Sequence, residues 1–265
     1  MAFGYVTTNV LDMRHKPAAD SERVNQALFG ELLTLGKVQK GYVRVAQQSG
    51  YKGWVDARFI EKIARPTALW KSEAGNAVVV GRKANLYGKG KSTSEPPYFL
   101  SYGTPVTMLS RSGAFARIIM PEGKEYFLLM SSVDLLDHKP ARNLTPARFV
   151  AEARKFLGVP YLWGGITPAG FDCSGLVQTV LRRLGVEIAR DTKDQIKAGT
   201  EIDRKDIKTG DLLFFDRHVG FAVGRHKLIH SSMGGGGVRI NSLKEGDPDY
   251  REDLDRNFRQ ARRIL

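Results

Sequence analysis

Up to about residue 136 the chain alternates between apolar and polar positions in short runs, the period of strands with one buried face. VTTNVLDMR (6–14), ELLTLGKV (31–38), GYVRVAQQ (41–48) and KGWVDARFI (52–60) form one set, separated by Gly, Lys and Ser turns. VVVGRKANLYG (78–88), TPVTMLSR (104–111), AFARIIM (114–120) and KEYFLLM (124–130) form a second. The two sets repeat. FGELLTL (29–35) aligns with YGTPVTM (102–108), GYVRV (41–45) with GAFARI (113–118) if one residue is inserted, and KGWV (52–55) loosely with KEYFL (124–128). This spacing predicts two small closed β-barrels, over 1–66 and 67–137. The competing arrangement is one larger β-sandwich that echoes itself.

The period changes in HKPARNLTPARFVAEARKFLG (138–158). Thr145 suits an N-cap and Pro146 the first helical position. Phe149, Val150, Ala153, Phe156 and Leu157 then form a helical stripe that Gly158 stops. A linker is therefore expected near 137–144, and a third domain over 138–265, its folded part from about 145. Inside it a second helix opens at Cys173, with Leu176, Val177, Val180, Leu181 and Leu184 on one face and Gly185 at its end. DLLFFD (211–216), HVGFAVG (218–224) and KLIHSS (227–232) follow as three short strands. Two helices and then antiparallel strands make an α+β layout.

Composition adds limits. A hydrophobic content of 42% and a charged content of 26% are ordinary for a globular protein. The net charge of +13 draws polyanions, whether nucleic acid, anionic lipid or bacterial wall polymer. The basic residues are scattered (KSTSEPP, RKFLG, LRRLG, RQARRIL), and no aromatic–basic or zinc-finger spacing is present, which argues against nucleic acid as partner. MAFGYVTTNVLDMR lacks the apolar core of a signal peptide, and no run approaches the roughly 18 apolar residues of a membrane span. The expected location is cytoplasmic as the sequence stands, or periplasmic or extracellular if a leader has been removed. The sequence does not fix the oligomeric state. One cysteine rules out an intramolecular disulfide and a multi-thiolate zinc site.

That cysteine, in GFDCSG, begins a helix. Helix-start N–H groups favour a thiolate, the nucleophilic form. The alternative is a buried cysteine packed as a small hydrophobe. Its neighbours Asp172, Ser174 and Gly175 are polar or small, which favours the nucleophile. A nucleophile needs a base, and the base an orienting group. Of five histidines, His15 lies in a turn, His138 in the linker and His226 between Arg225 and Lys227. His218 and His230 remain. If Gly224, Arg225 and His226 form a three-residue loop, both histidines share one sheet face with Gly220 and Ala222. That small-residue face is expected to leave room for the helix carrying Cys173, with Val219, Phe221 and Val223 facing the core.

PYLWGGITPAGFDCSGLVQ, RDTKDQ, TGDLLFFD, HVGFAVG and LIHSS, in this order over about 110 residues, resemble the NlpC-type cysteine peptidases. These are papain-like enzymes that cut peptidoglycan stem peptides. The two β repeats resemble the bacterial SH3-like modules found before such domains. The combination is similar to γ-D-glutamyl-L-diamino acid endopeptidases acting on free murein peptides. The resemblance implies Cys173 as nucleophile, His218 as base, His230 as orienting group and the Cys173 N–H as oxyanion donor. It implies Asp172, Tyr51, Ser174 and Thr192 as substrate-binding residues, with Asp20, Glu22 or Glu31 as a further acidic partner for a free L-alanine amine. It calls for no metal or organic cofactor. Three other readings compete: a hydrolase of polymeric wall, a non-enzymatic wall-binding protein, and a cysteine acyltransferase acting on lipid. The last would need an exposed apolar anchor segment, and the sequence offers none.

Overall fold

The computed structural model describes residues 2–65, 67–69, 75–88, 91–92, 98–136 and 144–265, and its chain divides into two compact units, Met1–His138 and Lys139–Leu265. The linker expected near 137–144 lies, apart from residue 144, outside the described residues, as does His138.

The first unit holds two seven-stranded sheets. The first sheet is built from β1 (Ala2–Val6), β2 (Val10–Arg14), β3 (Arg23–Leu28), β4 (Leu32–Gln39), β5 (Tyr42–Ala46), β6 (Lys52–Asp56) and β7 (Ile60–Ile63), in the order β3-β2-β6-β5-β4-β1-β7. The second half contributes β8 (Ala77–Val79), β9 (Lys83–Asn85), β10 (Tyr87–Gly88), β11 (Lys91–Ser92), β12 (Phe99–Ser101), β13 (Pro105–Ser112), β14 (Phe115–Ile119), β15 (Glu125–Leu129) and β16 (Val133–Leu135). Its large sheet runs β11-β10-β15-β14-β13-β8-β16, while β9 and β12 pair apart. The strands β4, β5 and β6 begin at 32, 42 and 52, and β13, β14 and β15 at 105, 115 and 125. The register shift after Leu35 recurs after Met108, and the 3₁₀ turn Ala57–Phe59 recurs as Met130–Ser132. The repeat is therefore real and tighter than its sequence alignment. The inserted residue proposed between GYVRV and GAFARI is not needed, because Tyr42 matches Phe115.

Alternation explains the packing. Leu11, Met13, Leu33, Val43, Val45 and Val55 bury one face of the first sheet. Tyr5 and Phe29 instead join the core of the second half, beside Val79, Leu100, Ile118 and Leu128, so the two halves share apolar packing. Asn9 ties them as well, its Oδ1 accepting the Ser101 N–H at 3.0 Å.

The second unit is an antiparallel sheet with helices. The helices are α1 (Pro146–Arg154), α2 (Cys173–Arg183), α3 (Thr192–Gln195) and α4 (Glu252–Arg256). A small hairpin, β17 (Ile166–Thr167) and β18 (Gly170–Phe171), precedes α2. The sheet contains β19 (Thr200–Ile202), β20 (Leu212–Phe215), β21 (His218–Ala222), β22 (Lys227–Ser232), β23 (Gly237–Ser242) and β24 (Phe258–Arg263), in the order β19-β24-β20-β21-β22-β23. The mixed α+β class holds. The last strand, FRQARR, reads as basic surface in sequence, yet it lies between β19 and β20 with Ala261 fully buried.

In α1, Phe149, Val150, Ala153 and the following Phe156 are buried as the stripe predicts. The helix ends at Arg154, however, and Leu157 is exposed. In α2, Leu176, Val177, Val180 and Leu181 are fully buried, and Gly185 ends the helix at φ +79°. Helices α1 and α2 pack on each other and on β21 and β22, with Phe149 against Phe221 at 6.0 Å between ring centres. The opposite sheet face carries Leu213, Phe215, Ala222 and Leu228, covered by Ile207, Leu243 and Leu254.

Candidate active site

Cys173 is the first residue of α2 and is buried. Asp172 is the N-cap and its Oδ1 accepts the Gly175 N–H at 2.6 Å. The close seat of this helix start depends on glycine. A Cβ at Gly175 would lie 2.1 Å from the Gly165 carbonyl oxygen, and one at Gly165 would lie 2.3 Å from that of Gly170. The loop before α2 therefore presses backbone to backbone on the first turn, which aims the thiol.

Asp172 does more than cap. Arg190 forms a bidentate pair with it, Nη2 to Oδ2 at 2.6 Å and Nη1 to Oδ1 at 3.1 Å. The Gly164 N–H donates to Oδ2 at 2.9 Å, and the Ser174 hydroxyl reaches Oδ1 at 3.3 Å while accepting from Arg190 at 2.9 Å. Both side chains of the ion pair are nearly excluded from water. Gln195 of α3 adds to the anchoring, its Nε2 donating to the Ser174 and Ala189 carbonyls. Asp172 and Ser174 thus hold the helix that carries Cys173 in place. Any substrate group meeting Asp172 meets a charge that Arg190 already balances.

The thiol's own surroundings come from two segments. Sγ lies 3.9 Å from Thr192 Oγ1, at the start of α3, and 4.0 Å from the Arg217 carbonyl oxygen. The Val219 N–H also addresses it. Arg217 and Val219 flank His218, so the sulfur rests against the backbone on both sides of that histidine. Burial pushes the thiol pKa up and the Asp172 charge adds to it, against the lowering by Thr192 and the Val219 and Ser174 N–H groups. Burial and the Asp172 charge thus outweigh the thiolate preference expected of a helix start, and the thiol pKa lies above its usual value.

The hairpin parity holds. The Val223 N–H donates to the Lys227 carbonyl at 2.7 Å, enclosing Gly224, Arg225 and His226 as a three-residue loop. Phe221 then pairs with Ile229, which sets His230 opposite Gly220 and on the face of His218. A Cβ on Gly220 would sit 2.8 Å from His230 Cβ, so glycine gives the imidazole its place. His218 Nε2 and His230 Nδ1 are 2.7 Å apart, and His230 Nε2 is 3.0 Å from Asn241 Oδ1.

The expected location of the helix is corrected. Helices α1 and α2 cover the face of Phe221, whereas the histidines share the other face with Phe215 and Ala222. Cys173, at the start of α2, meets the beginning of β21 through its backbone, at the Arg217 carbonyl and the Val219 N–H on either side of His218. Both imidazoles are buried. His218 is pushed down to about 3, by burial first, then by the charges of His230 and Arg251. His230 is pushed down to about 4, again by burial, with the Asn241 hydrogen bond opposing and Arg251 and Arg239 assisting. Both rings are neutral near neutral pH.

Sequence reasoning gave no role to Arg190, Tyr161 or Asn241. Burial raises the Tyr161 hydroxyl, and the charges of Cys173 and Asp172 raise it further, so a protonated phenol stands near the thiol. Its signal was its place in PYLWGG, and that of Arg190 its place in RDTKDQ. Tyr51 belongs to the first unit, packs on the core of the first sheet and donates its hydroxyl to the Val24 carbonyl at 3.2 Å. There, Glu31 accepts the Leu28 N–H and the Gln47 amide, and Asp20 and Glu22 are exposed.

A family model described as "NlpC/P60 family" matches residues 158–253, the segment that supplies Cys173, His218, His230 and Asn241. The chain is 31% identical over 251 residues to the gamma-D-glutamyl-L-lysine dipeptidyl-peptidase of Bacillus subtilis, covering 88% of this chain and 80% of that protein. This chain belongs to the NlpC/P60 family of cysteine peptidases. A second relative of the same name, from Bacillus cereus, is 28% identical over 91% of this chain and 74% of its own length. The fold matches the crystal structure of an NlpC/P60 family protein from Bacillus cereus ATCC 10987 with a TM-score of 0.82 over 99% of each chain, at 21% identity.

Proposed function

We propose that this peptidase acts on peptidoglycan stem peptides and cuts the bond between γ-D-glutamate and the following diamino acid, in peptides that begin with a free L-alanine. The observation that carries the reading is Cys173 Sγ lying against the backbone of Arg217 and Val219, the residues on either side of a His218 whose ring is backed by His230. The similarity to two gamma-D-glutamyl-L-lysine dipeptidyl-peptidases supports the choice of bond. The SH3-like character of the two N-terminal sheets is part of the same proposal.

Cys173 attacks the γ-carbonyl carbon of D-glutamate. Because thiol and imidazole both start neutral, His218 takes the thiol proton as the sulfur–carbon bond forms. The Cys173 N–H at the start of α2 is aimed to stabilise the oxyanion, and the protonated Tyr161 hydroxyl is a second donor near the thiol. His218 returns its proton to the leaving amine, which departs as the thioester forms. Water, deprotonated by His218, then attacks the thioester and releases L-Ala-γ-D-Glu. His230 orients His218 without adding a fixed negative charge. Tyr51, Asp172, Ser174 and Thr192 remain the proposed substrate-binding residues, Asp172 with its charge shared with Arg190.

Comparing a free-amine peptide with its N-acetylated form tests the substrate assignment. A strong preference for the free amine supports it. Equal cleavage favours hydrolysis of polymeric wall, the reading that the net charge of +13 suits.

A further inference from the structure

The chain of polar contacts behind His230 ends on a group whose hydrogen-bonding role has no ambiguity. Asn241 of β23 is buried, and its Nδ2 donates to the backbone carbonyl of Asp249 at 3.0 Å. That carbonyl also accepts the Ser242 N–H at 2.9 Å, and the Asp249 carboxylate meets Lys227 at 3.3 Å, so the segment is held on β22 and β23. A carbonyl oxygen only accepts, so the amide NH₂ of Asn241 must face Asp249. Its Oδ1 then faces His230 Nε2 at 3.0 Å. An amide oxygen also only accepts, so His230 carries its proton on Nε2. In a neutral ring this leaves Nδ1 as a lone pair, facing His218 Nε2 at 2.7 Å. His218 must then donate from Nε2, and its Nδ1 is left unprotonated.

We propose that Asn241, anchored on the Asp249 carbonyl, is a positioning residue that fixes the ring tautomers of His230 and His218 and leaves His218 Nδ1 as the atom that takes the thiol proton. The last clause rests on His218 being the base for Cys173. The tautomer assignment does not. An imidazole alone makes an ambiguous third member, because either nitrogen can hold its proton. A carboxylate would remove that ambiguity by charge, whereas here an amide removes it by geometry. Arg251, Arg239 and Asp253 also act on these imidazoles, and the test variants leave them intact.

The test begins with the full-length wild type labelled with ¹⁵N-histidine. Long-range ¹H–¹⁵N correlation at neutral pH identifies the protonated nitrogen of each ring. The expected spectrum shows His230 and His218 both protonated at Nε2. A His230 protonated at Nδ1, or in mixed tautomers, overturns the proposal, and this reading needs no variant to fold. Asn241→Leu is expected to give mixed tautomers. It should lower kcat by about 10- to 100-fold, as when the orienting partner of a metal-bound imidazole is removed, with KM nearly unchanged. Asn241→Asp keeps an acceptor. It should restore one tautomer and most of kcat, with the acid limb of the pH profile moved upward by the new charge. An Asn241→Leu protein that melts like the wild type and keeps its kcat overturns the proposal. A chain that cuts no peptide yet shows Nε2-protonated rings overturns the proposed function and leaves the tautomer assignment standing.

Discussion

His230 stands directly opposite Gly220 on the neighbouring strand, so its ring crosses over a residue with no side chain and meets His218 Nε2 at 2.7 Å. A Cβ on Gly220 would come within 2.8 Å of His230 Cβ, with the Ile229 carbonyl oxygen equally close. Neither is the far end of a flexible side chain. Gly220→Ala should therefore push the rings apart and lower kcat by roughly 10- to 100-fold, while the buried methyl also strains the sheet by about 1–3 kcal/mol. Steady-state kinetics and denaturant unfolding on one preparation measure the two effects.

The histidines also make stability depend on pH. Their folded pKa values, about 3 and about 4, lie below the usual imidazole value of 6.5. The unfolded chain binds protons first, so stability is full above about pH 6.5 and falls as pH drops towards 4 and then 3. Replacing both rings, as in the pair His218→Gln and His230→Gln, should flatten this part of the profile. Thermal melting from pH 7.5 to pH 4 measures it, and a wild-type midpoint that rises on acidification contradicts the assignment.

Arg190 and Asp172 form an ion pair almost out of contact with water. Breaking such a pair leaves an uncompensated buried charge, which costs about 3–5 kcal/mol. Arg190→Leu should lose that much in denaturant unfolding. It should also lose activity beyond the stability effect, because Asp172 caps the helix that carries Cys173. Arg190→Lys keeps the charge but not the two-pronged geometry and should fall between.

Much of this was legible in the sequence because it is periodic or punctuated. Alternation gave the strands and their repeat, the Leu176–Val180 stripe gave α2, and Gly224 gave the loop whose length set the parity of His218 and His230. The rest depends on contacts between distant segments. Which sheet face the helices cover follows from how Phe149 meets Phe221, and no local pattern records it. Arg190 reads as a surface cation until Asp172 is known to lie beside it. Asn241 becomes a neighbour of His230 only through the β22–β23 register, reached across the glycine run at 234–237. Strand β24 hides behind its arginines, since a half-buried strand needs only Ala261 fully inside.

His218→Ala and His230→Ala separate base from orienting group. Removing the proposed base should cost on the order of 10⁶-fold in kcat, close to the loss on removing Cys173, because the two act as a unit. Removing the orienting ring should cost less, and its loss should fall on kcat more than on KM.

The most direct test is hydrolysis of L-Ala-γ-D-Glu-L-Lys and of the corresponding diaminopimelate peptide, with products identified by mass and with Cys173→Ala as control. Wild type should release L-Ala-γ-D-Glu and the free diamino acid, and Cys173→Ala should release neither. Cleavage that survives in Cys173→Ala, or cleavage at another bond, contradicts the proposed function.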